Sequence, residues 1–203
     1  MSKKPLIVFE GIEGSGKSLH IKNVEDYLKK KKIKYIKLRE PGGSKNSEKI
    51  RKLILKKSSN FNKLTDLFLY MASRNENYHN LLKKNYKKKI ILIDRFIDST
   101  IAYQHFGMSI NKNLIQTMNK FILNKIDPDL VFVNVVNQKN LVNRLKLRKN
   151  KNRYDLFDQK FYKKVQKGFL KLAKNKRKYF IVDSNKAISE NKTKIIERIN
   201  KIL

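Results

Sequence analysis

The sequence has 203 residues, no cysteine, only seven glycines and no long apolar run. The absence of cysteine excludes a disulfide scaffold and any cysteine-ligated zinc site. The longest aliphatic or aromatic runs, such as Leu6–Phe9 and Ile90–Ile93, are far shorter than the roughly 20 residues that a membrane span needs. The apolar run after Lys4 ends at Glu10, too early for an export signal of about 7–15 apolar residues. We therefore expect no membrane partner and a cytoplasmic location.

Acidic residues are also scarce, with 17 Asp and Glu against 49 Lys and Arg and a formal net charge of +32. Forty of the basic residues are lysines spread along the chain, beside 22 Asn and 22 Ile, which is the composition that AT-rich codons produce. Nucleic-acid binders usually concentrate basic residues on one face and interleave aromatic ones for stacking. We therefore predict no nucleic-acid partner, although the charge should concentrate anionic ligands near the protein.

Buried strand patterns alternate with amphipathic helix patterns along the whole chain. Apolar runs predict strands at residues 6–10, 34–38, 89–94, 130–136 and 179–182. Helical spacing predicts helices at residues 18–32, 47–57, 64–84, 111–125, 138–147, 158–174 and 188–202. The polar segment 148–155 predicts a mobile loop. This order is typical of one α/β domain, spanning 1–203, with a five-stranded parallel sheet flanked by helices.

Five of the seven glycines lie between residues 11 and 43, and three of them belong to the segment GIEGSGKS. This segment matches the phosphate-binding pattern G-x-x-x-x-G-K-[ST] between a buried strand and an amphipathic helix. Its backbone N–H groups can surround phosphate oxygens, while Lys17 reaches the β- and γ-phosphates and Ser18 binds Mg²⁺. We therefore predict a nucleoside triphosphate site formed by Gly11, Ile12, Glu13, Gly14, Ser15, Gly16, Lys17 and Ser18.

Four further motifs follow this loop in a specific order: REPGG at 39–43, FLYMASR at 68–74, DRFIDSTIAYQ at 94–104 and DPDL at 127–130. Together with the acidic Glu13 inside the loop, they resemble the thymidylate kinase family over residues 6–173. The resemblance implies a three-layer P-loop NTPase fold. It also implies transfer of a phosphoryl group from ATP to dTMP with Mg²⁺, within dTTP biosynthesis, by a protein that is typically a homodimer.

The resemblance also implies roles for individual residues. Glu13 would accept a hydrogen bond from the sugar 3′-hydroxyl, and Tyr70 would stack on thymine. Arg74 would donate to the base, from one turn further along the same helix. Arg95 would clamp the acceptor phosphate with its planar guanidinium. The implied catalytic group is Lys17, Asp94, Arg95 and Arg153, with Ser18 and Asp94 holding Mg²⁺.

The remaining residues of the implied dTMP site surround these. Thr100 and Gln104 fall where the family contacts the thymine edge, and Tyr103 falls where a ring disfavours a 2′-hydroxyl. Ser99 is expected in the same shell. The sequence leaves Arg39 equally divided between a phosphate contact and a solvated strand end. Phe68 is expected in the core.

Residues 148–158 match the lid of the family. Ser15 occupies a loop position that is basic in some members, and where that basic residue is missing the lid supplies arginines to the transferring phosphoryl group. Arg153 matches the lid arginine best, with Arg148 and Arg144 as supporting candidates. Lys149 and Lys151 are expected to remain solvated.

Two alternatives differ in class. Another nucleoside or nucleotide kinase could share the fold, but Arg95 with Arg39 favours a phosphorylated acceptor and Tyr103 favours a deoxy sugar. The net charge raises a nucleic-acid-dependent ATPase as the second alternative, although one kinase core leaves little room for a coupling element. The sequence shows no dimer interface, but the helix at 64–82 has enough apolar residues to form one.

Overall fold

A five-stranded parallel sheet forms the centre of the computed structural model, which describes residues 4–203. Residues 1–3, which belong to the predicted domain and precede the first apolar run, lie outside the described residues. The strand order is β2-β3-β1-β4-β5, and every neighbouring pair is parallel. The strands are β1 (Leu6–Gly11), β2 (Tyr35–Arg39), β3 (Ile90–Asp94), β4 (Leu130–Val135) and β5 (Tyr179–Asp183). The predicted fold class is confirmed.

Helices connect the strands and cover both faces of the sheet. They are α1 (Lys17–Lys30), α2 (Lys45–Leu55), α3 (Lys63–Asn77), α4 (Lys83–Asn85), α5 (Ile97–Thr100), α6 (Lys112–Leu123), α7 (Gln138–Lys146), α8 (Gln159–Ala173) and α9 (Ile188–Asn200). Two π-helical segments, Tyr78–Leu82 and Ile101–Gly107, continue α3 and α5, and a 3₁₀ turn spans Arg153–Leu156.

The alternation of side chains along β1 divides the core into two apolar layers. Ile7 and Phe9 face α1 and α9, where Phe9 stacks on Phe132 with ring centroids 5.0 Å apart. Leu6 and Val8 face the opposite layer, which α2, α6 and α8 cover. Because both faces are covered, the strands are apolar on both sides, and this explains why they appear as continuous apolar runs.

Three of the sequence motifs begin at the carboxyl ends of neighbouring strands. The glycine-rich loop follows β1, the REPGG motif overlaps the end of β2, and the DRF segment begins at the end of β3. β1 and β3 are neighbours in the sheet. The chain runs from β1 to β2 on one side of this pair and from β3 to β4 on the other. In parallel α/β sheets, ligands bind at this edge, where the strand order reverses. The topology therefore brings the motifs together.

The predicted element boundaries agree with the structure to within a few residues, with three exceptions. The helix from Ile97 to Gly107 was not predicted, because no capping residue near its start in the sequence indicates it. The N–H groups of Phe96 and Ser99 donate to the carboxylate of Glu10, which lies far away in the sequence. The segment 153–156 forms a 3₁₀ turn instead of an irregular loop, because Asn152 and Asp155 cap it reciprocally. The expectation that Phe68 is in the core was wrong, since its side chain is 50% exposed on α3.

No helix among residues 4–203 is both long enough and apolar enough to cross a membrane.

Candidate functional site

A cleft of about 630 Å³ opens at the carboxyl edge of the sheet, beside the glycine-rich loop. Most of the residues selected from the sequence line it: Glu13, Gly14, Ser15, Gly16, Lys17, Ser18, Arg39, Tyr70, Arg74, Asp94, Arg95, Ser99, Thr100, Tyr103, Gln104, Arg144 and Arg148. Gly11 and Ile12, at the start of the loop, are buried and do not line the cleft, and Arg153 does not line it either. Residues from four of the five sequence motifs, together with Arg144 and Arg148, therefore meet in one cavity.

The glycine-rich loop owes its shape to close backbone contacts. Gly11 has φ of 135°, and a Cβ atom there would lie 2.3 Å from the carbonyl oxygen of Asn134 on the neighbouring strand. Gly16 has φ of 85° and forms the N-cap of α1, which leaves the first N–H groups of that helix facing the cleft. Only glycine allows this path, so the loop can present backbone donors to an anion.

Lys17 folds its ammonium group over the loop. Its Nζ donates to the carbonyl oxygens of Gly11 at 3.0 Å and Ile12 at 2.8 Å. Burial lowers the pKa of Lys17 to about 8, and the positive charge of Arg95 acts in the same direction. An anion bound beside this ammonium would raise the pKa of Lys17 again, because a nearby negative charge favours the protonated form, so the site favours a phosphate group.

Near the N-terminus of α1, Ser18 and Asp94 provide oxygen ligands suited to Mg²⁺. The Ser18 hydroxyl is 3.5 Å from Oδ2 of Asp94, and Oδ1 of Asp94 is buried without a hydrogen-bond partner. Mg²⁺ prefers oxygen ligands and usually takes one or two from the protein, with phosphate oxygens and water completing its shell. The unpartnered carboxylate oxygen therefore fits the predicted metal site.

Glu13, Arg95 and Tyr103 form a hydrogen-bonded cluster on the other side of the loop. The Arg95 guanidinium donates to Glu13 at 2.7 Å and to the carbonyl oxygen of Gly11 at 2.8 Å, and the Tyr103 hydroxyl donates to Glu13. Burial alone would raise the pKa of Glu13, but the charges of Arg95 and Lys17 and the Tyr103 hydrogen bond lower it below its usual value. Glu13 is therefore ionised and able to accept a further hydrogen bond.

The Glu10 carboxylate stabilises the turn that carries Arg95 through hydrogen bonds. Arg95 has φ of 66°, an uncommon conformation for a residue with a side chain. The Glu10 carboxylate accepts hydrogen bonds from the Phe96 N–H at 2.8 Å, the Ser99 N–H at 3.2 Å and the Ser99 hydroxyl at 2.5 Å. Glu10 is fully buried, and the sequence analysis assigned it no role because it appeared to be only the end of a strand.

Arg74 is the most completely bonded charged side chain of the cleft. It is 1% exposed and forms an ion pair with Glu40 at 2.7 Å. It also donates to the Thr100 hydroxyl and the carbonyl oxygen of Phe96, both at 2.9 Å, and to the side-chain oxygen of Asn119. This network fixes the guanidinium plane, so Arg74 can orient a planar ligand beside it.

An aromatic wall faces Arg74. The Tyr70 ring meets the Tyr154 ring edge-on at 6.1 Å, and Tyr154 in turn meets Tyr103 at 5.7 Å. Gln104 is buried, and its side-chain carbonyl oxygen has no hydrogen-bond partner. An unpartnered amide oxygen beside this aromatic wall is suited to the polar edge of a stacked base.

The structure adds lining residues that the sequence analysis missed. Arg51 on α2 donates to the carbonyl oxygen of Pro41 at 2.6 Å, and Glu40 is the buried partner of Arg74. Arg39, whose role was open, is 53% exposed and forms an ion pair with Glu48 at 3.0 Å. Arg51 could have been found from its helical spacing, because the buried Ser47 lies four residues before it on α2.

The three lid arginines have different partners. Arg144 donates to the carbonyl oxygens of Gly14 at 2.9 Å and Ser184 at 2.7 Å. Arg148 forms an ion pair with Asp155 at 2.5 Å and borders the cleft. Arg153 instead forms an ion pair with Asp66 on α3, outside the cleft lining.

A family model described as thymidylate kinase matches residues 9–195. The chain is 40% identical to a thymidylate kinase of Thermosipho africanus over 183 residues, which is 90% of each chain. It is 36% identical to a thymidylate kinase of Acholeplasma laidlawii over 203 residues, covering 97% of this chain and 99% of the relative.

A solved structure gives a similar result. The crystal structure of thymidylate kinase from Ehrlichia chaffeensis superimposes with a TM-score of 0.80 at 30% sequence identity. The match covers 98% of this chain and 99% of the other, so it extends over the sheet, the cleft and the predicted lid.

Proposed function

This chain belongs to the thymidylate kinase family and transfers a phosphoryl group from ATP to dTMP, and we propose that the cleft residues divide this work between a donor side and an acceptor side. The observation that supports this division is the position of Lys17 and Arg95. Both cations donate to the carbonyl oxygen of Gly11, so they lie next to each other at the start of the loop. A phosphate bound by each would place donor and acceptor next to each other.

On the donor side, the glycine-rich loop binds the triphosphate through its backbone N–H groups, and Lys17 neutralises the β- and γ-phosphates. Ser18 and Asp94 hold Mg²⁺, which would supply further neutralisation of the phosphate charge. This assignment is supported by the buried, unpartnered Oδ1 of Asp94. The chemistry requires no covalent intermediate, because positioning and charge neutralisation account for most of the catalysis in phosphoryl transfer.

On the acceptor side, Arg95 and Arg51 bind the dTMP phosphate, with Arg39 at the exposed margin. Glu13 accepts a hydrogen bond from the 3′-hydroxyl, and its ionised state is supported by its contact with Arg95. Tyr103 covers the 2′ position, since its hydroxyl is bonded to Glu13 and its ring packs against the Arg95 guanidinium at 5.2 Å. Ser99 supports the same turn.

Thymine is bound between the aromatic wall and the buried polar groups. Tyr70 stacks on the ring, while Arg74, Thr100 and Gln104 contact its polar edge. Four hydrogen-bonding partners fix the orientation of Arg74 before any ligand binds, and its weak 4.0 Å contact with Met71 Sδ is the one that an acceptor on the base would replace. A preorganised donor loses little entropy on binding.

Residues 148–158 form a lid within a single kinase domain. Lid closure excludes water and brings arginines to the transferring phosphoryl group. Arg148 already borders the cleft, Arg144 holds the glycine-rich loop, and Arg153 must leave Asp66 to reach the phosphates. The proposal that Arg153 is catalytic therefore requires an exchange of partners during closure.

The protein forms a homodimer through α2, α3 and α6. Supporting this, large apolar side chains are exposed on these helices: Leu53 at 52%, Leu64 at 43%, Phe68 at 50%, Leu114 at 39% and Phe121 at 88%. Exposed apolar groups of this number mark an interaction surface. Sedimentation of the Phe68→Glu/Phe121→Glu variant tests this, because it should sediment as a monomer.

The deciding experiment measures ADP release from ATP with individual nucleoside monophosphates. We expect dTMP to exceed dUMP in kcat/KM by about 10–200-fold, since one methyl group in an apolar pocket contributes roughly 1–3 kcal/mol. The ribose form of TMP should be a poorer substrate because Tyr103 crowds the 2′-hydroxyl. Added DNA should leave ADP release unchanged. DNA-dependent ATP hydrolysis without an acceptor nucleotide would instead support the ATPase alternative.

A further inference from the structure

A second cavity, of about 470 Å³, lies between α5, α6 and the turn that joins α8 to β5. Its volume is within the range of small-molecule sites. Buried apolar side chains form its walls, among them Val8, Ile101, Leu123 and Val131. Phe96 borders both this cavity and the catalytic cleft, so the two share part of one wall.

Basic side chains surround the opening of this cavity. Lys112, Lys120, Lys176 and Lys178 line it, and Lys178 forms an ion pair with Asp127 at 2.6 Å. Within residues 4–203, no carboxylate lies within ion-pair distance of the other three lysines, which we call the mouth lysines. An anionic group at the opening would be attracted to them.

The acidic residues of the cavity oppose such an anion only weakly. Glu10 is fully buried and hydrogen-bonded within the protein, and burial raises its pKa to about 7. Burial also raises the pKa of Asp98, which interacts with the Tyr179 hydroxyl. Glu10 thus carries less negative charge than an ordinary acid, while Asp98 and Asp127 face Lys176 and Lys178. The mouth lysines are exposed or half-exposed.

A buried amide in the cavity wall lacks a partner. Asn119 is 4% exposed, and its side-chain oxygen accepts a hydrogen bond from Arg74. Its amide nitrogen has no hydrogen-bond partner. Rotating the amide would bring its NH₂ group against the Arg74 guanidinium, so the orientation is fixed. A buried donor without an acceptor is unfavourable, and a ligand with an acceptor group would satisfy it.

We propose that this cavity binds a small organic anion whose apolar body lies between α5 and α6, with a hydrogen-bond acceptor at Asn119 and its negative group among the mouth lysines. The three chemical elements of the site are the apolar walls, the unpartnered amide nitrogen and the mouth lysines. Each accounts for one part of the ligand.

Binding here is coupled to the dTMP site through Asn119. A ligand that accepts from the amide nitrogen polarises the amide and strengthens the hydrogen bond from Arg74 to its oxygen. Arg74 is then held more firmly in the orientation that we assign to thymine recognition. This coupling rests on the proposed function of Arg74, whereas binding of the anion does not. By linkage, dTMP must strengthen anion binding by the same factor.

The absence of cysteine from the chain allows a direct test. Gln116 is exposed on α6 and lines the cavity, and the Gln116→Cys variant places a single thiol at its opening. Thr193→Cys is the matched control, because Thr193 is exposed on α9 between two other lysines. Dithiobis(nitrobenzoate), a disulfide of an aromatic carboxylate, is compared with cystamine, a cationic disulfide. Stopped-flow absorbance and mass spectrometry give the rates of thiol modification.

We expect the nitrobenzoate reagent to modify the Gln116→Cys thiol roughly tenfold faster than the Thr193→Cys thiol, because the site concentrates the anion. Cystamine should not favour Gln116→Cys. Adding Lys120→Gln and Lys176→Gln should remove the preference. Equal rates at the two positions, or a preference that persists without these lysines, would overturn the site.

The coupling has its own readout. Attachment of the nitrobenzoate at Gln116→Cys should lower the dTMP KM by about fivefold and leave kcat unchanged. The same label at Thr193→Cys should change neither. Selective labelling with an unchanged KM would refute the coupling, and because labelling needs no turnover, it is independent of the roles assigned in the cleft.

Discussion

Two cations on the floor of the cleft are anchored to the backbone of the sheet edge, although one of them, Arg95, also pairs with Glu13. Two of the lid arginines are anchored through carboxylates instead. Lys17 and Arg95 both donate to the carbonyl oxygen of Gly11, which belongs to β1. Arg148 and Arg153 pair with Asp155 and Asp66 instead. The floor is therefore positioned by the strands themselves, while the lid must exchange partners before its cations can reach a phosphate.

The largest effect is expected on the floor. Lys17→Ala should lower kcat by about 10²–10³-fold or more, because it removes a preorganised cation from the transferring phosphate. Steady-state kinetics with saturating dTMP measure the loss, and circular dichroism checks the fold. Lys22→Ala is the matched control on the same helix, since Lys22 is exposed and pairs only with Asp26. Near wild-type turnover in Lys17→Ala would contradict the donor site.

The lid prediction separates catalysis from anchoring. If Arg153 leaves Asp66 to contact the transferring group, Arg153→Ala should lower kcat on the order of 10³-fold with smaller changes in either KM. Asp66→Asn should keep most of kcat, because it frees the arginine. Lys151→Ala, which removes an exposed charge of the same lid, serves as the control.

Two outcomes would change this view of the lid. Equal losses of kcat in Arg153→Ala and Asp66→Asn would mean that their ion pair itself supports the lid. A large loss in Arg148→Ala with little effect of Arg153→Ala would move the catalytic role to Arg148, which already borders the cleft.

A smaller effect is expected at the acceptor base. Tyr70→Ala should raise the dTMP KM roughly 5–150-fold, because stacking of a base on an aromatic ring contributes about 1–3 kcal/mol. The ATP KM should change little. Lys63→Ala is the control on the same helix, because Lys63 is exposed and does not line the cleft, and it should leave the dTMP KM unaltered. A parallel loss of ATP affinity in Tyr70→Ala would point to general damage of the cleft.

The smallest effect concerns the support beneath Arg95. Burial raises the pKa of Glu10 from 4.5 to about 7, so the native protein binds more protons than the unfolded chain between these values. The contribution of Glu10 to the free energy of unfolding is therefore most favourable below pH 4.5 and declines as the pH rises to about 7. Glu10→Gln should flatten this slope in urea unfolding series.

A control makes the pH prediction specific. Glu190→Gln removes an exposed carboxylate on α9 and should leave the slope between pH 4.5 and pH 7 unchanged. Part of the slope should persist in Glu10→Gln, because burial raises the pKa of Asp98 as well. An unaltered slope in Glu10→Gln would mean that Glu10 is ionised throughout this range.

The sequence alone determined the parts of the protein that depend on local pattern. The glycine-rich loop needs glycine at fixed positions, and a buried parallel strand needs a continuous apolar run, so both were identified from short segments. Because the motifs follow strands, their meeting at one sheet edge followed as well. Tyr70 and Arg74 were assigned from the resemblance to the thymidylate kinase family, and their spacing agrees with it because residues four apart share a helix face.

Only the tertiary structure decided which groups satisfy each other across long separations in the chain. Arg74 meets Asn119 across 45 residues, and Arg153 meets Asp66 across 87. Glu10 caps the start of a helix 86 residues away, which is why that helix was not predicted. Burial of a polar side chain requires partners, and the partners depend on how the elements pack. Local sequence patterns carry the period of a helix or strand, but they do not carry the identity of these distant partners.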